Sequence, residues 1–310
     1  MHHGRVVAAV IAAHDEEAHI ADVVTGLPDL VDHVVVVDDG SSDGTAAAAE
    51  ATGDPRLILI RHETNVGVGG AVCTAYRRAL ETRADLFVRL DGDGQMDPTY
   101  IPDLLAPLVD EGIGFAKANR FYSSTSFRGM PAHRVVGNIV LSFLTKLASG
   151  YWNLFDPQNG FTAVTRKTLE RLDLDQLRRG YEFENDFLVS CNILNVRARD
   201  VPVPAVYGDE VSGIRLRRVV PAIFALLVRG LFRRITLKYV IRTFSPVALF
   251  LFSGLALVAV GLFWGVYAII ESWGPGTTTT GTVLLAVTPF LMGFQLLLAA
   301  LQADIAETPK

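Results

Sequence analysis

The chain has 310 residues, a formal net charge of −5, 50% hydrophobic residues and two cysteines. The acidic balance, with no basic repeat, argues against a nucleic-acid-binding protein, and the wide spacing of Cys73 and Cys191 excludes a disulfide framework or a cysteine zinc site. The length fits one soluble domain of about 210–240 residues followed by a hydrophobic module.

The apolar run from Val6 is too short for a signal-peptide core and meets His14-Asp15-Glu16-Glu17 at once, so it reads as a first strand, Val6 to Ala12. Helical and strand patterns then alternate. A helix is expected over Glu17 to Leu27, a strand over His33 to Asp38, and a helix over Thr45 to Thr52. A strand over Leu57 to Arg61 and a helix over Gly70 to Thr82 follow. Next come a strand over Leu86 to Leu90, a helix over Pro102 to Asp110 and a strand over Gly114 to Asn119. This alternation predicts an α/β fold with a mostly parallel sheet and helices on both faces.

In open sheets of this kind ligands bind outside the carboxyl ends of the strands. Those ends are polar in every case: His14-Asp15-Glu16, Asp38-Asp39, Asn65, Asp91-Gly92-Asp93 and Arg120. Asp91 and Asp93 place two carboxylates where a strand ends, and Gln95 adds an amide oxygen. Hard cations such as Mg²⁺ take oxygen ligands of this type together with water and phosphate. Asp38-Asp39-Gly40-Ser41-Ser42-Asp43-Gly44-Thr45 is neither a P-loop nor a dinucleotide fingerprint, because its acidic residues would repel a phosphate set on them. They suit a base N–H or a ribose hydroxyl, while Ser42 or Asp43 can also cap the next helix.

The chain closes with two charge-free spans, Val247 to Ile270 and Val283 to Gln302. Each approaches or exceeds the roughly 20 apolar residues needed to cross a ~30 Å hydrocarbon core. A cationic stretch precedes them, from Arg215 through Arg229, Arg233, Arg234 and Lys238 to Arg242, with no acidic residue between. That bias places the preceding domain in the cytosol, and the Glu271-to-Thr280 connector, which carries no positive charge, on the far side. Pro221 to Phe244 mixes these cations with large apolar residues, as an interfacial helix does at lipid headgroups.

Taken together, Val10 to Glu17, Val36 to Thr45, Asn65-Val66-Gly67-Val68-Gly69 and Asp91-Gly92-Asp93-Gly94-Gln95 resemble the successive motifs of family 2 glycosyltransferases. The resemblance covers about Val6 to Ile214. The hydrophobic tail makes the nearest subgroup the polyprenyl-phosphate, dolichyl-phosphate mannose synthase-like, enzymes. It implies a GT-A-type fold, with residues 1–214 as a cytosolic catalytic domain and 215–245 as basic interfacial helices. Residues 246–304 would then form a two-helix transmembrane hairpin in the cytoplasmic membrane, and 305–310 a cytosolic tail.

By the same resemblance Ala13, His14, Glu16, Asp39 and Asp91 hold the nucleotide, and Asp91, Asp93 and Gln95 hold Mg²⁺ or Mn²⁺. Arg120, Arg134 and Asn138 are expected at the acceptor phosphate, with Arg128 nearby. Asp156 to Phe161 matches a loop beside the sugar, and Glu184 and Asp186 match carboxylates facing the donor. The first motif departs from the usual Pro-Ala-Tyr-Asn-Glu at Ala12, His14 and Asp15, and Val68 stands where the third often has Lys. The implied partners are a nucleotide-diphosphate sugar, a polyprenyl phosphate and the membrane, with no nucleic acid and with a homo-oligomer left open. The implied reaction is inverting hexose transfer to the lipid phosphate. Transfer to a hydroxyl acceptor, or a non-catalytic membrane-anchored binding role, are the alternatives.

Overall fold

The computed structural model describes residues 1–122, 132–156, 159–204, 216–274 and 278–309. It divides into two compact units, one running from Met1 to Leu231 and one from Phe232 to Thr308.

In the first unit, β1 (Val7–Ala13), β2 (His33–Asp38) and β3 (Leu57–Arg61) alternate with α1 (Ile20–Thr25), α2 (Thr45–Ala51) and α3 (Val68–Leu80). There follow β4 (Leu86–Asp91), α4 (Ile101–Asp110), β5 (Phe115–Asn119), α5 (Ala132–Ser149), β6 (Thr162–Thr165), α6 (Arg166–Arg171), α7 (Phe183–Ile193) and β7 (Ala198–Pro202). The strands form one seven-stranded sheet in the order β3-β2-β1-β4-β6-β5-β7. Only β6 runs antiparallel to its neighbours.

Every residue of β1 is buried, because helices cover both sheet faces and leave no polar side to the strand. One apolar layer sets Tyr76 of α3 and Phe187 of α7 against Phe87 and Phe115. The other packs Ile20, Ile101, Leu104 and Leu105 of α1 and α4 on the opposite face. A third, smaller cluster joins Ala148 of α5 to Ile223 and Leu227 of α8 (Leu216–Arg234).

Within the second unit a π-helical segment, Ile235–Arg242, precedes two 27-residue helices, α9 (Pro246–Ser272) and α10 (Thr280–Ala306). Both helices are long and apolar enough to cross a membrane. Only 22% and 17% of their most apolar windows is buried, whereas core helices of a soluble protein would be mostly covered. The pair is antiparallel: Ser245, before α9, donates to Glu307, after α10, at 2.5 Å. Gly293 lets the backbones close up, since a Cβ there would lie 2.7 Å from Val258 N.

Candidate active site

Five parallel strands end at one rim, and the ends of β1 to β4 are tied to each other. Asp39 N–H donates to the Ala13 carbonyl at 2.8 Å, His62 N–H to that of Asp38 at 2.9 Å, and Gly92 N–H to that of Ala12 at 3.0 Å. The first two loops are further stitched by side chains. Asp15 Oδ1 accepts from Ser42 N–H at 2.8 Å, Thr45 Oγ1 from Glu16 N–H at 2.8 Å, and Glu17 Oε2 from Gly44 N–H at 3.0 Å. Asp43, not Ser42, bonds the start of α2, accepting from Thr45 N–H at 3.0 Å, and the N-cap position itself is Gly44. His14 is left open on the rim, its imidazole 3.6 Å from the Asp15 carboxylate, and Ala13 is buried beneath it.

Asp39 is 3% exposed and organises the next loop. Its oxygens accept from Val66 N–H at 3.0 Å and Gly67 N–H at 2.9 Å. His62 Nδ1 lies 2.7 Å from Asp39 Oδ1, and its Nε2 lies 3.1 Å from Thr74 Oγ1 on α3. An ionised carboxylate has about four lone-pair sites, so these three contacts leave room for one more donor. Gly67 adopts φ 91°, and a Cβ there would sit 2.5 Å from the Arg179 carbonyl, so this turn requires glycine.

Asp91 closes β4, and Asp93 Oδ1 accepts from Gln95 N–H at 3.0 Å in the turn that follows. Among the described residues no three His, Cys, Asp or Glu side chains converge as a metal-binding group. Asp91, Asp93 and Gln95 carry oxygen donors, the type that Mg²⁺ or Mn²⁺ takes together with water and phosphate.

Beneath the rim a polar row crosses an otherwise apolar sheet. The register places Thr162 of β6 opposite both Arg89 of β4 and Lys117 of β5, and Lys117 opposite Asp200 of β7. Arg89 is 2% exposed and forms two ion pairs, to Asp91 at 3.1 Å and to Glu184 of α7 at 2.8 Å. Burial opposes its charge, but these two carboxylates outweigh burial and raise its pKa. Lys117 Nζ donates to the Asn159 carbonyl, and burial pushes its pKa down to about 8. Burial pushes the Asp200 carboxyl up to about 6. Asp186, two residues after Glu184 on α7, accepts from Arg178 N–H at 3.1 Å.

Arg120, half-exposed, is gripped by the buried Asp156 through Nε–Oδ2 at 2.7 Å and Nη2–Oδ1 at 3.1 Å. Arg134 and Asn138 fall on α5, but their side chains lie outside the described residues, as do Arg128, Pro157 and Gln158. The structure therefore joins Asp91 to Glu184 through Arg89, and Arg120 to Asp156, but leaves the wider acceptor set undrawn. A cavity of about 490 Å³ lies elsewhere, by the amino end of β4. Two arginines of its lining are occupied with helix ends: Arg166 donates to the Thr82 carbonyl at 2.7 Å and Arg171 to that of Leu194 at 2.6 Å.

A family model described as glycosyl transferase family 2 matches residues 8–173, more than half of the chain. The chain belongs to glycosyl transferase family 2. Within it, a UDP-N-acetylglucosamine–dolichyl-phosphate N-acetylglucosaminyltransferase of Methanococcus voltae is 31% identical over 221 residues, covering 66% of this chain and 87% of the relative. An undecaprenyl-phosphate mannosyltransferase of Micrococcus luteus is 30% identical over 207 residues, covering 64% and 83%. Among solved structures, glucosyl-3-phosphoglycerate synthase of Mycobacterium tuberculosis, bound to Mn²⁺, UDP and glucosyl-3-phosphoglycerate, superposes with a TM-score of 0.55. It is 26% identical, over 74% of this chain and 80% of that one, and is also known with Mg²⁺ and UDP.

For a family 2 glycosyltransferase the loops at the strand ends were legible from sequence. Three groups were not: Arg89 and Lys117, charged residues inside apolar strands, and His62, one residue past β3. The signal for the first two was present, since a charge within Leu86-Phe87-Val88-Arg89-Leu90 needs a buried partner.

Proposed function

We propose that this glycosyltransferase moves a hexose from a nucleotide-diphosphate sugar to a polyprenyl phosphate at the cytosolic leaflet, with inversion. The observation that carries the reading is the combination in one chain of the Asp91/Asp93 rim with two helices of lipid-spanning length. The names of the Methanococcus and Micrococcus relatives support the acceptor class. Half-exposed Ile139, Val140 and Phe143 along α5, and Phe224 and Val228 on α8, give apolar surface suited to a lipid headgroup layer. The cationic residues from Arg229 to Arg242 support a cytosolic orientation.

Asp91, Asp93 and Gln95 would hold a divalent cation, which when bound neutralises charge on the leaving diphosphate. Asp39 and the loop it organises would take the nucleoside. A phosphate monoester, with its second pKa near 6, is already ionised at neutral pH, so the acceptor needs no general base. The work left to the protein is alignment and charge neutralisation: Arg120, preset by Asp156, together with Arg134 and Asn138 at the acceptor, and Glu184 and Asp186 toward the sugar.

The test uses the purified full chain in detergent with Mg²⁺ or Mn²⁺, undecaprenyl phosphate and a panel of radiolabelled UDP- and GDP-sugars. Label should enter the organic phase as a mild-acid-labile product, and Asp93→Ala should abolish it. Label entering a hydroxyl acceptor instead, or none entering lipid with any donor, overturns the acceptor assignment.

A further inference from the structure

The guanidinium of Arg89 occupies an unusual place. Its neighbours Phe87, Val88 and Leu90 are fully buried and apolar, and a charge in such surroundings is costly unless paired and hydrogen-bonded. An apolar residue of similar volume would serve stability as well or better. What an apolar residue could not do is hold two carboxylates from different elements at once. Arg89 Nη2 reaches Asp91 at the end of β4, while Nη1 reaches Glu184 in the first turn of α7. The planar guanidinium is rigid, so it fixes the separation between those carboxylates, a constraint that the point charge of lysine cannot reproduce.

The surroundings hold the arrangement in place. The ring of Phe183 lies 5.4 Å from the guanidinium carbon. On another side, a Cβ at Gly160 would come 2.6 Å from Asp91 Oδ2 and 3.2 Å from Arg89 Nη2, so the missing side chain is what admits the pair. Asp91 is 29% exposed at its side chain and faces the rim, whereas Glu184 is 11% exposed.

We infer that Arg89 is a positioning residue that sets the metal- and diphosphate-facing carboxylate of Asp91 in register with Glu184, joining the donor end of the site to the sugar end. The inference rests on the reading of Asp91 as a metal ligand given under the proposed function. It does not depend on the identity of the acceptor.

The test compares wild-type full-length protein in detergent with Arg89→Met, Arg89→Lys and Glu184→Gln. Mn²⁺ affinity is read from the free-ion electron paramagnetic resonance signal, without turnover. Donor cleavage is read as nucleoside diphosphate release at saturating Mn²⁺, which needs no lipid. Arg89→Met should bind Mn²⁺ about tenfold more weakly, with kcat down at least a hundredfold and the donor KM within threefold. Arg89→Lys should recover only part of the Mn²⁺ affinity, because one ammonium contact can still orient Asp91, yet leave kcat at least tenfold low, because it does not hold Glu184 in register as well. Glu184→Gln should lower kcat while keeping Mn²⁺ affinity within threefold.

A folded Arg89→Met protein with wild-type Mn²⁺ affinity and kcat overturns the inference. If Arg89→Met does not fold, wild-type kcat in Arg89→Lys overturns it alone. If the Mn²⁺ and cleavage pattern holds but no sugar enters polyprenyl phosphate, the acceptor reading fails and the role of Arg89 stands.

Discussion

Asp156 holds Arg120 with both carboxylate oxygens, at 2.7 and 3.1 Å, and Asp156 itself is 1% exposed. A bidentate pair of this kind fixes the plane of the guanidinium and so determines which edge it turns to a ligand. The anion also lowers the local positive charge, so Arg120 presents direction more than field strength. Asp156→Asn keeps shape but removes the charge that orients Arg120. The acceptor KM should rise about tenfold while the donor KM stays within twofold, and stability should fall by about 1–3 kcal/mol. Steady-state kinetics with the two substrates varied separately, plus a melting curve, measure both. An unchanged acceptor KM would show that Arg120 does not depend on Asp156.

Asp39 gives a second prediction because its contacts are mainly to backbone. Asp39→Ala leaves the Val66 N–H and His62 without their Asp39 acceptor, while Gly67 N–H keeps Asn65 Oδ1 at 2.9 Å. Each unsatisfied buried donor costs about 1–3 kcal/mol, so a drop in melting temperature of several degrees is expected along with loss of nucleotide binding. Asp39→Asn retains an acceptor oxygen and should recover most of the stability. His62→Phe should mimic the mild case, weakening nucleotide binding by a few fold. Calorimetry with UDP and GDP checks affinity in each variant, and an Asp39→Ala protein as stable as wild type would dismiss the organising role.

The ease of reading the rim and the difficulty of reading its floor have a common physical origin. Parallel strands covered on both faces appear as unbroken apolar runs, and the first polar residue marks their end, so β2 and β3 match the expected bounds and the others fall within one residue. β6 and β7 escape this rule. β6 is the four residues Thr162–Thr165 reversed within the sheet, and β7 is an edge strand carrying Arg199, Asp200 and Pro202, which imitates a loop. The first helix was expected from Glu17 but begins at Ile20, because Asp15 and Glu17 are bonded into the loop after β2. Arg89, Lys117 and Asp200 meet only through strand register between β4, β6, β5 and β7, and no local pattern carries that.

The buried row also sets a pH dependence. The Asp200 carboxyl is raised from 3.8 to about 6, so between those values the folded state holds more protons and stability falls as pH rises. Lys117 is lowered from 10.5 to about 8, so between 8 and 10.5 the unfolded state holds more protons and stability rises with pH. Asp156, Glu184 and Asp200 favour the charged lysine and Arg89 opposes it, while burial dominates. Each displacement corresponds to about 3 kcal/mol. Denaturant unfolding of Asp200→Asn against wild type should therefore show a difference that grows in favour of the variant from pH 4 to pH 6. Lys117→Met should lack the gain that wild type shows from pH 8 to pH 10. Parallel curves at all pH values would refute the assignment.

In the second unit, Arg234 and Asp304 form a buried ion pair, with Nη2–Oδ2 at 3.1 Å, and Tyr239 Oη lies 3.0 Å from Arg234 Nη1. The pair links the residue before the π-helical segment to the last turns of α10, just past the expected end of the second span at Gln302. Removing one partner strands a buried charge, which typically costs about 3–5 kcal/mol, whereas replacing both with apolar residues of similar volume is often neutral. Arg234→Met alone and Asp304→Leu alone should therefore each lower the melting temperature in detergent by several degrees. The double variant should recover most of the loss, giving a coupling of at least about 2 kcal/mol in the cycle. Since neither residue belongs to the rim, Mn²⁺ affinity should be the same in all four proteins. Additive losses would mean that the two charges are solvated independently and that the pair does not fasten α10 to the segment before α9.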